Sequence, residues 1–239
     1  MHKSNLFFIS LGPGDPELIT LKSLRQLERS DMIFCPGTHT LSGTFRSRSK
    51  EILDQLGIDE RKVIVFNVPM SKQRDAAHIA YNEIAYKLME IYREHNDSKI
   101  ISVVAEGDCG FYSSTHYISE ILMQEGVEVN HIAGVPAFLA CAAAVNLHIT
   151  KQEETLEVVP GIVTEEQLLH DLKEKKTIVI MKVSLSETVL KAFLTAHPQY
   201  SYSYFENVGL DNEYSTTNSA EIQARKIPYF SIMIIKNEE

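Results

Sequence analysis

The stretch Phe7–Leu24, "FFISLGPGDPELITLKSL", sets an apolar run against an amphipathic one and places "GPGDP" between them. Glycine admits dihedrals closed to other residues and proline fixes one, so together they end one element and begin the next. Leu6–Leu11 is apolar apart from Ser10, the pattern of a strand buried on both faces. Asp15 suits a helix N-cap and Pro16 a first helical turn. Leu18, Leu21, Leu24 and Leu27 then mark one face at intervals of three. The stretch reads as strand, turn and helix, the opening unit of an α/β fold.

Outward from it the same unit recurs. "DMIFCP" and "KVIVFNVPM" read as strands, with Ser42–Leu56 and Ala76–Glu94 as helices beside them. "KIISVVAEGD" and "VEVNHIAG" are two further strands that run into glycine, separated by a helix over Ser114–Gln124 with Tyr117, Ile118, Ile121 and Leu122 inward. The small-residue helix "AFLACAAAV" follows. Such repetition predicts a largely parallel sheet covered by helices. The second half changes character. "TLEVVPG", "KKTIVIMKV", "YSYSYF" and "FSIMII" are strand candidates with fewer long helices between them, the third partly exposed and the last central. The expectation is an N-terminal α/β domain over residues 1–118 with a mostly parallel sheet, and a C-terminal mixed-sheet α/β domain over residues 119–239.

Bulk properties remove several classes of function. No apolar run approaches the length that crosses a bilayer, and "MHKSNLFFIS" lacks the apolar core of a secretion signal. Cys35, Cys109 and Cys141 form no CxxC pair, which argues against a disulfide scaffold and for a cytoplasmic protein. Net charge is −9 and the bases gather only in short clusters such as "KEKK", so a nucleic-acid partner is not expected. The nine histidines show neither HExxH nor Cys/His pairing, and no metal is expected.

Three glycine turns follow apolar runs: Gly12–Glu17, Ala105–Ser114 and Ala133–Phe138. Ligands of open α/β sheets bind at the carboxyl ends of strands, where such loops converge. None of the three is GxGxxG or GxxxxGK[ST], and acidic residues in the first two are ill suited to a pyrophosphate. Glu106 and Asp108 suit hydroxyls or a cation instead. The alternative for Asp108 is that it ties its own turn, and for Asp15 that it is a cap only. Cys109 has no base supplied by sequence and reads as packing, while Met181 fits either a core or a pocket for a flat ring.

Read in order, "GPGDPELITLKSLRQLERSDMIFCP", "EGDCGFYSS", "AGVPAFLACAA", "VIMKV" and "ENVG" resemble the tetrapyrrole methylases over nearly the whole chain. "FNVPMSKQRD", "FYSSTHYISEIL" and "VIMKVS" are similar to the branch that methylates C20 of precorrin-2 or cobalt-precorrin-2 in corrin synthesis. The resemblance implies two α/β domains that clasp S-adenosylmethionine, and a homodimer. It places Pro13, Glu106, Gly107, Asp108, Phe111, Pro136 and Ala137 at the cofactor, with Met181, Asn207, Val208 and Gly209 from the second domain. Where many relatives have "GDP" this chain has "GDC" at Gly107–Cys109. Tyr112 and His116 are candidate substrate contacts, with helix-start packing as the other reading. For a polycarboxylate substrate, Arg46, Arg48, Lys72 and Arg74 are candidates, or else solvated surface. No single catalytic residue is singled out, because transfer to an electron-rich ring carbon demands alignment more than a triad. Methylation of uroporphyrinogen III at C2 and C7 or of a later corrin, and a cofactor-binding module without activity, remain the alternatives.

Overall fold

The computed structural model describes residues 5–39, 43–68, 74–95 and 98–237. They divide into two compact units, Met1–Pro136 and Ala137–Glu239.

The first unit carries β1 (Leu6–Ser10), α1 (Leu21–Arg29), β2 (Met32–His39), β3 (Phe45–Arg46), α2 (Arg48–Gln55), β4 (Val63–Asn67), α3 (Arg74–His95), β5 (Ile101–Ala105), α4 (Thr115–Gln124) and β6 (Asn130–Ile132). The sheet runs β3-β2-β5-β1-β6, with β4 also on β2. All pairs are parallel except the short β2–β3 hairpin. Alternation along β1 sends Leu6 and Phe8 into one core, which holds Tyr81, Leu88, Ile118 and Leu122 of α3 and α4. Ile9 and Leu11 enter the other, with Leu27, Ile52 and Leu53 of α1 and α2. From β1 the chain crosses over β5 to reach β2. From β5 it crosses over β1 to reach β6. These opposite directions place the switch in strand order between β1 and β5, where their carboxyl ends open a crevice.

The second unit carries α5 (Ala137–Ala144), β7 (Thr155–Val159), α6 (Glu165–Lys173), β8 (Lys176–Met181), α7 (Glu187–Ala196), β9 (Ser201–Glu206), β10 (Tyr214–Thr216), α8 (Ser219–Ala224) and β11 (Ser231–Lys236). Its sheet, β10-β9-β11-β8-β7, is mixed: β7 and β8 are parallel and the rest antiparallel. The strand "FSIMII" is central, as its unbroken apolar run requires.

Several expectations are corrected. The boundary expected after residue 118 would cut α4, and the division lies after Pro136 because β6 pairs with β1 and belongs to the first sheet. Asp15 caps a 3-10 turn over Pro16–Leu18, accepting from the Glu17 amide at 2.8 Å, while Thr20 caps α1. Leu21 is 67% exposed, because a spacing of three drifts around a helix of 3.6 residues per turn; Ser23 and Leu27 are the buried positions. The helix expected from Ser42 starts only at Arg48, after Phe45–Arg46 has paired with β2. Tyr117 is exposed and stacks on Tyr81 with ring centroids 5.6 Å apart. In "YSYSYF" Tyr202–Phe205 are buried and only Tyr200 and Ser201 are half-buried, since the Tyr202 and Tyr204 hydroxyls find internal acceptors in the His197 carbonyl and Glu206.

Candidate active site

At the carboxyl ends of β1, β5 and β6 the three glycine turns are tied into one knot. The Leu11 amide donates to the Ala105 carbonyl at 2.8 Å, extending the β1–β5 ladder by a step. Gly12 and Gly107 then exchange both main-chain bonds, at 3.1 and 2.6 Å. Gly107 has φ +68°, a conformation that favours glycine, and a Cβ there would meet nothing within 4 Å, so the space beside its Cα is open. Gly134 is glycine for the opposite reason. A Cβ there would stand 2.3 Å from the Ser10 Cβ and 2.8 Å from the Gly107 carbonyl oxygen.

Two side chains lock the knot. The buried Ser10 hydroxyl donates to the Ile132 carbonyl at 2.7 Å and accepts from the Cys109 amide at 2.8 Å, joining the ends of all three strands. That second bond needs an N–H, which a proline at this position would lack. The Asp108 carboxylate accepts from the Gly110 amide through Oδ1 and from the Gly134 amide through Oδ2, both at 2.8 Å. It therefore ties its own turn and the third loop as well.

Around the knot, Pro13 is buried and Phe111 half-buried. Phe111 meets the exposed Tyr112 ring edge-on at 4.8 Å. Glu106 and Arg48, one expected at the cofactor and the other at the substrate, form an ion pair at 3.7 Å. Burial pushes the Glu106 carboxyl above its usual range, against the pull of Arg48. His116 lies in the first turn of α4, 3.8 Å from Glu120 and with its ring 5.3 Å from that of His131. Arg46 is exposed on β3. Lys72 and the Arg74 side chain lie outside the described residues. Pro136 closes the first unit.

In the second unit, Ala137 opens α5 and Met181 ends β8, both half-buried. Asn207–Gly209 follows β9. The Asn207 amide donates to the Phe230 carbonyl at 3.0 Å, Val208 is buried, and the Gly209 amide donates to Glu213 Oε2 at 2.7 Å. Among the described residues, five that are not glycine have positive φ: Tyr112, Asn146, Lys175, Lys182 and Asn207. Tyr112, Lys182 and Asn207 stand in or beside the loops singled out by sequence, and such strain persists only where surrounding structure over-determines it.

Other chemistries find no support in these groups. Burial pushes the Cys35 thiol up to about 12 and raises Cys109 and Cys141 as well, so none is a ready nucleophile. His170, Asp171 and Glu174 bring ligand atoms within 4.8 Å of one another, but Lys176 already holds Asp171 at 2.7 Å. Among the described residues no helix is long and apolar enough to cross a membrane. Sequence reasoning missed Ser10, Gly134 and the Glu206–Arg225 pair. Ser10 carried a signal, as the lone polar residue of an apolar strand; Arg225 carried none.

The family model of the Tetrapyrrole (Corrin/Porphyrin) Methylases matches residues 5–223. The chain belongs to this family, whose members are methyltransferases that use S-adenosylmethionine. Among its relatives, the precorrin-2 C(20)-methyltransferase of Sinorhizobium sp is 24% identical over 96% of this chain and 94% of its own length. The probable cobalt-precorrin-2 C(20)-methyltransferase of Methanocaldococcus jannaschii is 30% identical over 74% of this chain and 71% of its own. A solved uroporphyrin-III C-methyl transferase from Thermus thermophilus, complexed with S-adenosyl homocysteine, shares the fold. Its TM-score is 0.66 at 19% identity, covering 97% of this chain and 96% of that one.

Proposed function

We propose that this protein transfers the methyl group of S-adenosylmethionine to C20 of precorrin-2 or cobalt-precorrin-2 in cobalamin biosynthesis. The observation that carries the reading is the knot of Gly12, Gly107 and Gly134 at the switch point, in the loops whose sequence matches the family. The C20 assignment draws on the names of the two relatives and on the motifs "FYSSTHYISEIL" and "VIMKVS".

The loops fit this donor better than a nucleotide phosphate. The space beside the Gly107 Cα is open, and carboxylates at Glu106 and Asp108 are ill suited to a pyrophosphate. When bound, S-adenosylmethionine supplies an electrophilic methyl on a sulfonium whose leaving group is a neutral thioether. In this reading Pro13, Glu106, Gly107, Asp108, Phe111, Pro136 and Ala137 hold it, with Met181 and Asn207–Gly209. Asp108 acts by fixing the backbone of two loops, since both its oxygens are engaged by amides. Arg46, Arg48, Lys72 and Arg74 are the bases proposed for the substrate's carboxylates, and Tyr112 and His116 its further contacts. Arg48 is the best placed of these, half-buried against Glu106 beside the knot. The protein's task is alignment in a water-poor site rather than activation by a triad. We further propose a cytoplasmic, symmetric homodimer, consistent with three free buried cysteines and with the commonest form of soluble oligomer.

The test is transfer of labelled methyl to a panel of uroporphyrinogen III, precorrin-2 and cobalt-precorrin-2, with the label located by NMR. Label at C20 is expected. Label at another carbon moves the assignment within the family, and no transfer to any tetrapyrrole rejects it. Sedimentation showing only a 27.0 kDa species would remove the dimer.

A further inference from the structure

Resting on the reading of Asn207–Gly209 as a cofactor loop, the geometry points to Arg225 as a positioning residue that presets this loop by gripping both of its ends. The loop leaves β9 at Glu206 and enters β10 at Tyr214, and these two residues are register partners across the β9–β10 pair. Arg225, just past α8, touches both. Its Nε and Nη2 donate to Glu206 Oε1 and Oε2 at 2.7 and 2.9 Å, a two-point fork. Its guanidinium carbon lies 3.6 Å from the centre of the Tyr214 ring.

Each end of the grip is anchored in turn. Glu206 is only 7% exposed and also accepts from the Tyr204 hydroxyl at 2.8 Å. Tyr214 donates its hydroxyl to Glu221 of α8 at 2.8 Å, and Thr216 donates to the same oxygen at 2.7 Å. The Arg225 carbonyl accepts from Lys191 of α7 at 2.6 Å. Between the two ends the main chain turns through two left-handed residues and two internal bonds. Asn207 sits at φ +49° and Gly209 at φ +78°. Leu210 donates back to the Asn207 carbonyl at 3.1 Å, and Glu213 to the Leu210 carbonyl at 2.9 Å.

A non-glycine residue in the left-handed region relaxes unless its flanks are held. The grip on Glu206 and Tyr214 supplies that restraint one residue before Asn207 and one after Glu213. A loop held ready before the ligand arrives loses less freedom on binding, so the consequence of this grip is tighter cofactor binding. Lysine cannot replace it, because an ammonium lacks both the planar fork and the stacking face.

The experiment measures S-adenosylhomocysteine binding by calorimetry, and steady-state kinetics, for wild type, Arg225→Lys and the double variant Glu206→Gln with Arg225→Gln. The double variant leaves no unpaired buried charge, which guards against simple misfolding. Both variants are expected to bind about tenfold more weakly and to raise KM for the donor, with kcat at saturating donor within about twofold of wild type. A merely structural pair would lower the melting temperature and leave affinity and KM alone. Folded variants that bind as tightly as wild type would overturn the assignment by themselves. A wild type that gives no heat overturns the cofactor reading of the loop and this inference with it.

Discussion

In the first unit the candidate loops are packed main chain against main chain, with the Ser10 hydroxyl and the Asp108 carboxylate locking them from within. Gly12 and Gly107 pair directly, and Gly134 approaches until no side chain fits between. In the second unit the loop after β9 is held by side chains, with a buried carboxylate, a guanidinium and an aromatic ring gripping its ends. The parallel strands explain the first arrangement. Their carboxyl ends lie side by side, so short loops leaving them collide unless glycine makes room. In the antiparallel part, β9 and β10 are joined by the loop itself, which makes one main-chain bond to the next loop, from the Asn207 amide to the Phe230 carbonyl, and is gripped at its ends by Arg225 just past α8. A site built the first way is most sensitive to added bulk, and one built the second way to loss of charge or reach.

That contrast ranks the expected effects. Gly134→Ala should do most damage, since its new Cβ meets the Ser10 Cβ and a backbone oxygen that cannot turn aside. Overpacking of this kind costs about 1–3 kcal/mol or more. Melting and calorimetry should show lower stability together with lost S-adenosylmethionine binding. Unchanged values for both would show that the knot is looser than drawn.

Next comes Asp108→Asn, which sets an amide NH2 against one of the two N–H groups the carboxylate now accepts. A hydrogen bond to a charged partner is worth roughly 1.5–3 kcal/mol. Cofactor affinity should fall by about tenfold or more, with a smaller fall in melting temperature. Lower stability with unchanged affinity would make Asp108 a brace for its turn and nothing else.

The second unit offers a test by pH. Burial alone would raise the Glu206 carboxyl, but the bonds from Arg225 and Tyr204 outweigh it and hold the group below the ordinary 4.5. A carboxyl depressed on folding stabilises the protein above its unfolded value, and that contribution disappears as pH falls through the folded one. Stability should therefore decline below pH 4.5, and the decline should be shallower in Glu206→Gln. Parallel acid curves for the two proteins would disconnect the pair from stability.

The smallest effect expected is at the thiols. All three cysteines are buried with raised pKa values, so a thiol reagent at neutral pH should label none in the folded protein and all three after denaturation. Rapid labelling of Cys109 would show that the loop opens in solution.

The amino-acid sequence by itself determined the βα units of the first half, the mixed character of the second and the three glycine turns. Each of these is local: an apolar run, a break and a helical period lie within a dozen or so residues of one another. The family's motifs are local in the same way, which is why they could be read before any fold was known. Tertiary structure alone decided what those turns do to each other. Nothing near Ser10 announces that its hydroxyl meets both Cys109 and Ile132, and nothing near Asp108 announces Gly134. The strand of Tyr202 and Tyr204 reads as partly exposed, and the His197 carbonyl and Glu206 bury it by coming within reach of their hydroxyls. Leu21 reads as core by its spacing from Leu24 and Leu27, but the helical period carries it round to the exposed face. Arg225 took its meaning from Glu206 and Tyr214, brought to it by the pairing of β9 with β10 and the return of α8. Hydrogen bonds and close approaches are set by distance in space, and a linear pattern carries that information only when the partners are also neighbours in the chain.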